Sequence, residues 1–199
     1  MSQKQINSNY LLLPANMLRM YASGAFPMAD EKHVDIQWYF PEIRTIIPLH
    51  DYNLPRSLKK FMETSSFEIK RDTDFLSVVK GCAGRETTWI SDELIEAYLR
   101  LYKRKHIHTV EVWQDGNLVG GLYGIVFMGA FFGESMFSKV PQASKVALAY
   151  LLQYLKEKNF VLLDVQYMTP HLKMFGAVEI TYEEYQNLLS SAYVRNCEF

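Results

Sequence analysis

The chain has 199 residues, of which 49% are hydrophobic and 14% aromatic, and its formal net charge is −1. This composition excludes disorder along the whole chain and predicts one domain, or one domain with a small appendage. The low net charge argues against sequence-blind binding to nucleic acid, which depends on many phosphate contacts.

The N-terminal part of the chain is rich in proline and aromatic residues and has little periodicity beyond a predicted helix at residues 14–23. We therefore predict a small N-terminal domain at residues 1–63 and a second domain at residues 64–199. The first residues lack a small-residue cleavage signal, and no later segment has the roughly 18 uncharged apolar residues of a membrane span. The sequence therefore predicts a cytoplasmic protein without a membrane partner.

From residue 67 onward, strand-like and helix-like patterns alternate. The strands are predicted at residues 67–70, 109–114, 118–128, 130–137, 160–166 and 177–181. The helices are predicted at residues 74–83, 92–105, 142–158, 169–175 and from 182 onward. The sequence Asp115-Gly116-Asn117 is a hairpin signal, and Ser91 or Asp92 is a candidate N-cap. The pattern alone predicts an α/β or α+β sheet domain.

Polar residues interrupt two of the apolar stretches. Glu134 stands inside one apolar run, and Asp164 and Gln166 end another. A buried carboxylate destabilises the folded state by several kcal/mol unless it is paired with a cation or has a functional role. Side chains two positions apart on a strand point the same way, so we expect Asp164 and Gln166 to share one face. Acids at the ends of neighbouring strands predict a functional site.

The two cysteines, Cys82 and Cys197, lie far apart without a histidine cluster, which indicates neither a metal site nor a disulfide framework. A candidate basic patch ends one predicted helix and consists of Arg100, Lys103, Arg104 and Lys105. Cations there also stabilise the helix dipole, so a structural role and a nucleic-acid contact both stay open. Five further cations extend the patch if the fold brings them together: Lys59, Lys60, Lys70, Arg71 and Arg85.

Several sequence blocks carry a resemblance to a known family. The clearest are GGLYG at 120–124, FxGESMFS at 131–138, ASKxAL at 143–148 and DxQxxTPHLxxxGA at 164–177. Further blocks are GAFPM at 24–28, WYFPEIR at 38–44, CAxR and TWI within 82–90, and HTVEVW at 108–113. In these blocks, which follow in order over nearly the whole chain, the sequence resembles the leucyl/phenylalanyl-tRNA–protein transferases.

The resemblance implies an acetyltransferase-like (GNAT-like) mixed-sheet catalytic domain at residues 64–199. It implies an enzyme that moves Leu or Phe, and also Met, from aminoacyl-tRNA to the N-terminal Lys or Arg of acceptor proteins, marking them for N-degron degradation. Because the tRNA ester is already activated, positioning supplies much of the acceleration. No metal or bound coenzyme is required.

The resemblance also assigns substrate-binding residues. The amino-acid pocket matches four apolar residues, Leu122, Phe131, Leu148 and Leu151, each of which would otherwise be an ordinary core residue. The platform for the terminal adenosine matches Trp38 and Trp89. Stacking of a base on an aromatic ring contributes about 1–3 kcal/mol and tolerates sequence variation.

Three polar residues are the predicted catalytic group. We predict that Asp164 orients Gln166 and makes its amide oxygen more negative, while Gln166 holds the attacking amine in line. Glu134 either holds a cationic amine of a substrate or forms a buried ion pair, for example with Lys145. His171 is predicted to cap its short helix. The final proton acceptor stays open between water and a ribose hydroxyl.

Three other functions remain alternatives. An acetyl-CoA N-acetyltransferase would need a glycine-rich phosphate loop, whereas the loop at 138–145 has no glycine and contains a proline. A related tRNA-dependent transferase with acidic acceptors is disfavoured, because the carboxylates Glu134 and Asp164 would repel them. A catalytically silent RNA-binding module would make the pair Asp164 and Gln166 expendable.

Overall fold

A computed structural model of the protein describes residues 8–29, 36–85 and 87–199. Its helices are α1 (Ser8–Leu11), α2 (Pro14–Ala22), α3 (Arg56–Thr64), α4 (Phe75–Ala83), α5 (Asp92–Tyr102), α6 (Ala143–Glu157), α7 (Pro170–Lys173) and α8 (Tyr182–Tyr193). Its strands are β1 (Phe26–Ala29), β2 (Ile36–Tyr39), β3 (Ile43–Ile46), β4 (Glu68–Arg71), β5 (Ile107–Gln114), β6 (Asn117–Phe127), β7 (Ala130–Ser138), β8 (Leu162–Gln166) and β9 (Val178–Thr181).

Seven of these strands form one mixed sheet in the order β4-β5-β6-β7-β8-β3-β9. Strands β7 and β8 pair in parallel, and the other neighbours pair antiparallel. Strands β1 and β2 form a separate antiparallel pair. The mixed α/β sheet that the sequence predicts is therefore confirmed.

Local signals account for several element ends. Asp115 and Gly116 form the two-residue loop between β5 and β6, and their φ angles of 49° and 74° are those of a type I′ hairpin turn. The Ser91 side chain accepts a hydrogen bond from the backbone N–H of Leu94 and so caps α5. Helix α5 ends at Tyr102, so Lys105, with a φ angle of 58°, lies beyond the helix that we predicted to include it.

Two adjacent glycines in β6 let helices pack closely on both faces of the sheet. A Cβ atom at Gly120 would lie 2.5 Å from the Cβ atom of Ala143, at the start of α6. A Cβ atom at Gly121 would lie 2.8 Å from the carbonyl oxygen of Val110 and 3.5 Å from the side chain of Val78 in α4. Adjacent residues of a strand face opposite ways, so α6 and α4 cover opposite faces of the sheet.

The N-terminal part is more regular than its sequence predicts. Helix α3 contacts α6, and β3 lies between β8 and β9 in the large sheet. Strands of four residues are too short for an alternating pattern, and in β3 Arg44, Thr45 and Ile46 are all buried. Residues 1–7, the start of the predicted N-terminal domain, lie outside the described residues, and the boundary near residue 63 stays a prediction.

None of the helices in the described ranges is both long and apolar enough to cross a membrane. In the same ranges, no three side chains of His, Cys, Asp or Glu are grouped so that they could hold a metal ion.

Candidate active site

A cavity of about 470 Å³ opens where β7 and β8 stop pairing. The parallel ladder joins Ala130–Phe132 to Leu162–Asp164 and goes no further, although both strands continue. The apolar part of the cavity wall includes Leu122, Leu148, Leu151, Leu163, Val165 and Leu172. Its polar part includes Tyr123, Glu134, Gln166 and His171. The cavity is therefore mainly apolar with a few polar groups, as small-molecule sites generally are.

Glu134 lies on a β-bulge in β7. Tyr123 of β6 is opposite Ser135, and Gly124 is opposite Gly133, so Glu134 is the extra residue with no partner in the ladder. A bulge interrupts the alternation of side chains and changes the direction of the bulged one. The bulge therefore explains how a carboxylate within an apolar strand comes to line the cavity.

The Glu134 carboxylate is only partly satisfied by the protein. Its side chain is buried, with 8% of the residue exposed. The Tyr98 hydroxyl donates a hydrogen bond of 2.7 Å to Oε2, whereas Oε1 has no partner. Burial raises the pKa of Glu134 to about 7, although the hydroxyls of Tyr98 and Tyr21 oppose the shift. Both protonation states are therefore accessible near neutral pH.

Two further buried polar atoms in the cavity wall have no hydrogen-bond partner. They are the hydroxyl of Tyr123 and Nε2 of His171. Burial lowers the pKa of His171, and Lys145 adds to this effect. Unsatisfied buried polar atoms are rare in native proteins. Together with Glu134 Oε1, they can form hydrogen bonds with polar groups of a ligand in the cavity.

A buried tyrosine cluster surrounds Glu134. Tyr21, Tyr98 and Tyr123 are each 0% exposed. The hydroxyls of Tyr21 and Tyr98 lie 3.4 Å apart. Burial raises the pKa of all three well above the usual value, and the charge of Glu134 adds to the shift. These hydroxyls are therefore neutral, and that of Tyr98 donates to the Glu134 carboxylate. Sequence reasoning missed them, because a tyrosine in an amphipathic helix or apolar strand looks like a core residue.

Asp164 is the centre of a buried polar network. It is 0% exposed, and its carboxylate accepts hydrogen bonds from Nε of Arg44 at 2.9 Å, from Nη2 of Arg44 at 2.5 Å and from the Tyr185 hydroxyl at 2.6 Å. Arg44 also donates to the carbonyl oxygen of Gly24 at 2.9 Å, and its guanidinium lies 4.6 Å from the ring centroid of Phe26. The network joins β3, β8 and α8. Sequence reasoning missed Arg44, which stands 120 residues away in the chain.

The side chains of Asp164 and Gln166 do not share a face, contrary to our expectation. Gln166 has a φ angle of 60°, so the regular strand geometry ends there. Its side-chain amide nitrogen donates to the carbonyl oxygen of Gly133 on β7, and Asp164 instead accepts from its backbone N–H at 2.9 Å. Asp164 therefore holds the backbone of Gln166 rather than polarising its amide.

The structure brings most of the predicted substrate-binding residues to the cavity wall, namely Trp89, Leu122, Leu148 and Leu151. Phe131 is instead fully buried in the core, with its ring 5.5 Å from that of Phe199. Trp38 packs edge-on against Tyr21 with the ring centroids 5.6 Å apart and does not line the cavity.

The cap of α7 differs from the prediction. The Thr169 side chain, rather than His171, caps the helix by accepting from the backbone N–H of Leu172. The ion pair of Glu134 with Lys145 that the sequence left open is also not among the ion pairs of the described residues. His171 and Glu134 both line the cavity instead.

The fold and the site define a mixed α/β protein whose mainly apolar cavity contains one partly satisfied carboxylate, an arrangement suited to group transfer. Among known families, the one described as "Leucyl/phenylalanyl-tRNA protein transferase" matches residues 46–190, and the N-terminal domain of that family matches residues 11–42. The chain therefore belongs to the leucyl/phenylalanyl-tRNA protein transferase family and is an aminoacyltransferase. The resemblance seen in its sequence blocks is confirmed.

Curated relatives cover nearly the whole chain. The leucyl/phenylalanyl-tRNA–protein transferases of Chlorobaculum parvum and Paramagnetospirillum magneticum are each 45% identical to it over 188 residues. The matches cover 92% of this chain and, respectively, 97% and 90% of the relatives. Among solved structures, an aminoglycoside acetyltransferase from an uncultured soil metagenomic sample is similar at 14% identity and a TM-score of 0.42, over 64% of this chain and 87% of that one.

Proposed function

We propose that the chain transfers Leu or Phe, and also Met, from aminoacyl-tRNA to the α-amino group of proteins that begin with Lys or Arg. The attacking nitrogen forms a bond to the ester carbonyl carbon, and the bond between that carbon and the ribose oxygen breaks. The nitrogen gives up a proton, and the ribose oxygen takes up a proton and leaves as a hydroxyl group. The observation that carries the proposal is the cavity, in which apolar walls meet the unpartnered oxygen of Glu134. In the cell, the product would carry a new N-terminal Leu or Phe as an N-degron in the cytoplasm.

The apolar wall suits the side chain of the donated amino acid. Leu122, Leu148 and Leu151 come from one strand and one helix and line the same cavity. A hydrophobic pocket separates side chains that differ by one methylene by only about 1–3 kcal/mol. The same pocket therefore accepts Leu, Met and Phe while rejecting polar or charged side chains.

The polar wall suits the attacking amine. An α-amino group has a pKa of about 7.7–8.0, so at neutral pH much of it carries a proton that must be removed before attack. Glu134, whose pKa is raised to about 7, receives that proton through Oε1. The Gln166 amide is held by Gly133 through its nitrogen, which leaves its oxygen as an acceptor for the amine.

Asp164 has a positioning role in this proposal. Its carboxylate is fully buried and bound to Arg44, so it touches neither substrate. By accepting from the backbone N–H of Gln166, it holds the end of β8 in the conformation that presents the Gln166 side chain to the cavity.

The charge of Glu134 also favours a cationic acceptor. The charge of Asp164 is paired with that of Arg44 inside the protein, whereas Glu134 has no cationic partner among the ion pairs of the described residues. A carboxylate in a mainly apolar site attracts a Lys or Arg side chain and repels an acidic one.

The test is transfer of radiolabelled leucine from Leu-tRNA to two peptides that differ only in beginning with Arg or with Asp. A parallel reaction contains labelled acetyl-CoA in place of the tRNA. We expect label on the Arg peptide alone. Label on the Asp peptide would indicate the transferase with acidic acceptors, and acetylation alone would indicate the coenzyme chemistry. Binding of Leu-tRNA without any transfer would indicate the silent RNA-binding module.

Replacing Trp89 with Ala is expected to raise KM for 3′-O-leucyl-adenosine by about 5- to 150-fold with little change in kcat. The loss of about 1–3 kcal/mol of base stacking accounts for this range. Steady-state kinetics with the Arg peptide as acceptor measure both constants. The matched variant Trp38→Ala should change KM less, because Trp38 does not line the cavity. A larger effect at Trp38 than at Trp89 would contradict the placement of the adenosine.

A further inference from the structure

A second cavity, of about 660 Å³, adjoins the active-site cavity at the C-terminal end of β7. The two cavities share Arg85, Met136 and Ser144 in their walls. We call this second cavity the β7 groove, and its polar lining residues are Ser77, Lys80, Arg85, Ser138, Lys139 and Ser144. The shared residues place the groove directly beside the active-site cavity.

The β7 groove combines three cations with two hydroxyl groups besides that of Ser138, which itself donates to the carbonyl oxygen of Val140 at 2.9 Å. Lys80 lies in the last turn of α4, Arg85 in the loop that follows, and Lys139 directly after β7. All three residues are exposed. Lysine, arginine and serine side chains are the usual partners of phosphate oxygens. The groove therefore has the chemistry of a site for phosphate anions, although the net charge of the whole chain is −1.

Hydrogen bonds within the protein organise the walls of the β7 groove. The guanidinium of Arg85 donates to the Ser135 hydroxyl at 3.2 Å and to the carbonyl oxygen of Met136 at 2.5 Å, which holds it at the junction of the two cavities. The Ser138 hydroxyl accepts from the backbone N–H of Ser144 at 3.1 Å, which orders the turn from β7 into α6. The groove is therefore largely formed before a ligand binds.

Helix α4 closes the opposite wall. A Cβ atom at Gly81 would lie 2.8 Å from the ring of Phe137, so only a glycine allows α4 to approach β7 this closely. The approach brings Lys80 to the same groove as Lys139, from a different element of the chain.

We propose that the β7 groove binds the phosphodiester groups of the single-stranded 3′ end of aminoacyl-tRNA, while the terminal adenosine and the aminoacyl group occupy the active-site cavity. This inference rests on the proposed function, since it takes aminoacyl-tRNA as the donor. Trp89 lines the cavity and Arg85 the junction, and both belong to the loop between α4 and α5. A strand that leaves an adenosine stacked on Trp89 therefore passes Arg85 and reaches Lys80 and Lys139.

Phosphate contacts carry no sequence information, which suits an end that all tRNAs share. They also explain how a chain of low net charge holds a polyanion, because the cations are concentrated next to the reaction site.

The test compares two probes that differ in their phosphodiester groups, the trinucleotide CpCpA and adenosine. The variants are Lys80→Ala, Lys139→Ala and their combination. The control is Lys158→Ala, which removes the same charge at the far end of α6. Dissociation constants of both probes are measured at several salt concentrations, and transfer kinetics are measured with leucyl-CpCpA and leucyl-adenosine as donors.

We expect each lysine variant to weaken CpCpA binding about tenfold at low salt, as the removal of a hydrogen bond to a charged group does. The binding of adenosine should not change. The salt dependence should become shallower in the double variant. The magnitude of the slope of log affinity against log salt concentration should fall by about 1.4, or about 0.7 for each phosphate that a lysine no longer neutralises. KM should rise for leucyl-CpCpA and stay constant for leucyl-adenosine.

Equal decreases in affinity for both probes would overturn the proposal, because the lysines would then act through the active-site cavity. Unchanged binding of both probes in the double variant would overturn it as well. Failure of the proposed function has a different signature. A wild-type protein that binds CpCpA through the two lysines but transfers no leucine would contradict the reaction and support the phosphate site.

Discussion

Replacing Glu134 with Gln is expected to lower kcat/KM for leucine transfer by about 10²- to 10⁴-fold, the usual contribution of a positioned proton acceptor. The amide fills the same space at the β7 bulge but cannot take a proton from the attacking amine. The rate is measured with leucyl-adenosine and the Arg peptide between pH 5.5 and 9. In the wild-type protein the rate should increase with pH around pH 7, as Glu134 loses its proton, and this increase should be absent from the variant.

The same substitution is expected to stabilise the fold at alkaline pH. The pKa of Glu134 rises from 4.5 to about 7 on folding, so between these values the folded protein holds a proton that the unfolded chain releases. The free energy of unfolding therefore falls as pH rises through this window and stays low above it. At pH 8, Glu134→Gln should be more stable by up to about 3 kcal/mol, and the difference should vanish below pH 4.5.

Urea denaturation at pH 4.5 and pH 8 measures this effect. The control is Glu179→Gln on β9, where the side chain is exposed, which should change neither activity nor stability. Loss of activity together with loss of stability at pH 8 would show that Glu134 has a structural role. Loss of activity with a gain of stability would show that the fold tolerates a costly buried carboxylate for its chemistry.

Replacing Asp164 with Ala is expected to destabilise the protein by about 3–5 kcal/mol, because it leaves the buried guanidinium of Arg44 without its counter-charge. Arg44 is only 1% exposed, so bulk water cannot solvate its charge. The Tyr185 hydroxyl and the backbone N–H of Gln166 lose their acceptor at the same time. Urea denaturation at pH 7 measures the decrease in stability.

A double variant, Asp164→Leu with Arg44→Met, separates the positioning role from simple unfolding. Two apolar side chains remove both buried charges, so much of the stability should return. Activity should stay low, because the backbone N–H of Gln166 still lacks its acceptor and the end of β8 is no longer held in place. The decrease should lie in kcat rather than in KM for leucyl-adenosine. Recovery of kcat along with stability would contradict the role of Asp164 in holding Gln166.

The sequence predicts the fold best from residue 67 onward, where strand-like and helix-like patterns alternate. From β4 to α8, alternating apolar patterns, the Asp115-Gly116 turn and the Ser91 cap each lead to the observed element. In the N-terminal part, β1, β2 and β3 have only four residues each and lie in a segment rich in proline and aromatic residues, where no alternation is visible. Strands β4 and β9 are as short but stand within a regular succession of strand-like and helix-like patterns. The pairing of β3 with β8 joins residues more than a hundred positions apart, and no local signal in the sequence encodes it.

The site could be predicted in part. Glu134, Asp164 and Gln166 interrupt apolar runs, and this pattern is visible in the sequence. The bulge at Glu134 depends on the register between β6 and β7, and the positive φ angle at Gln166 depends on contacts across the sheet. For that reason the sequence indicates which residues are unusual, whereas the structure shows that Asp164 is bound to Arg44 and that Glu134 lines the cavity.

The most direct test is a ¹³C NMR titration of the Glu134 carboxyl group in the full-length protein. We expect a midpoint near pH 7, absent from Glu134→Gln, because burial raises the pKa of a carboxyl group that has one oxygen unpartnered. Adding the Arg peptide with an uncleavable amide analogue of leucyl-adenosine should lower the midpoint, because a cationic amine favours the carboxylate. A midpoint near the ordinary value of 4.5 that does not respond to these ligands would contradict the assignment of Glu134 as the proton acceptor.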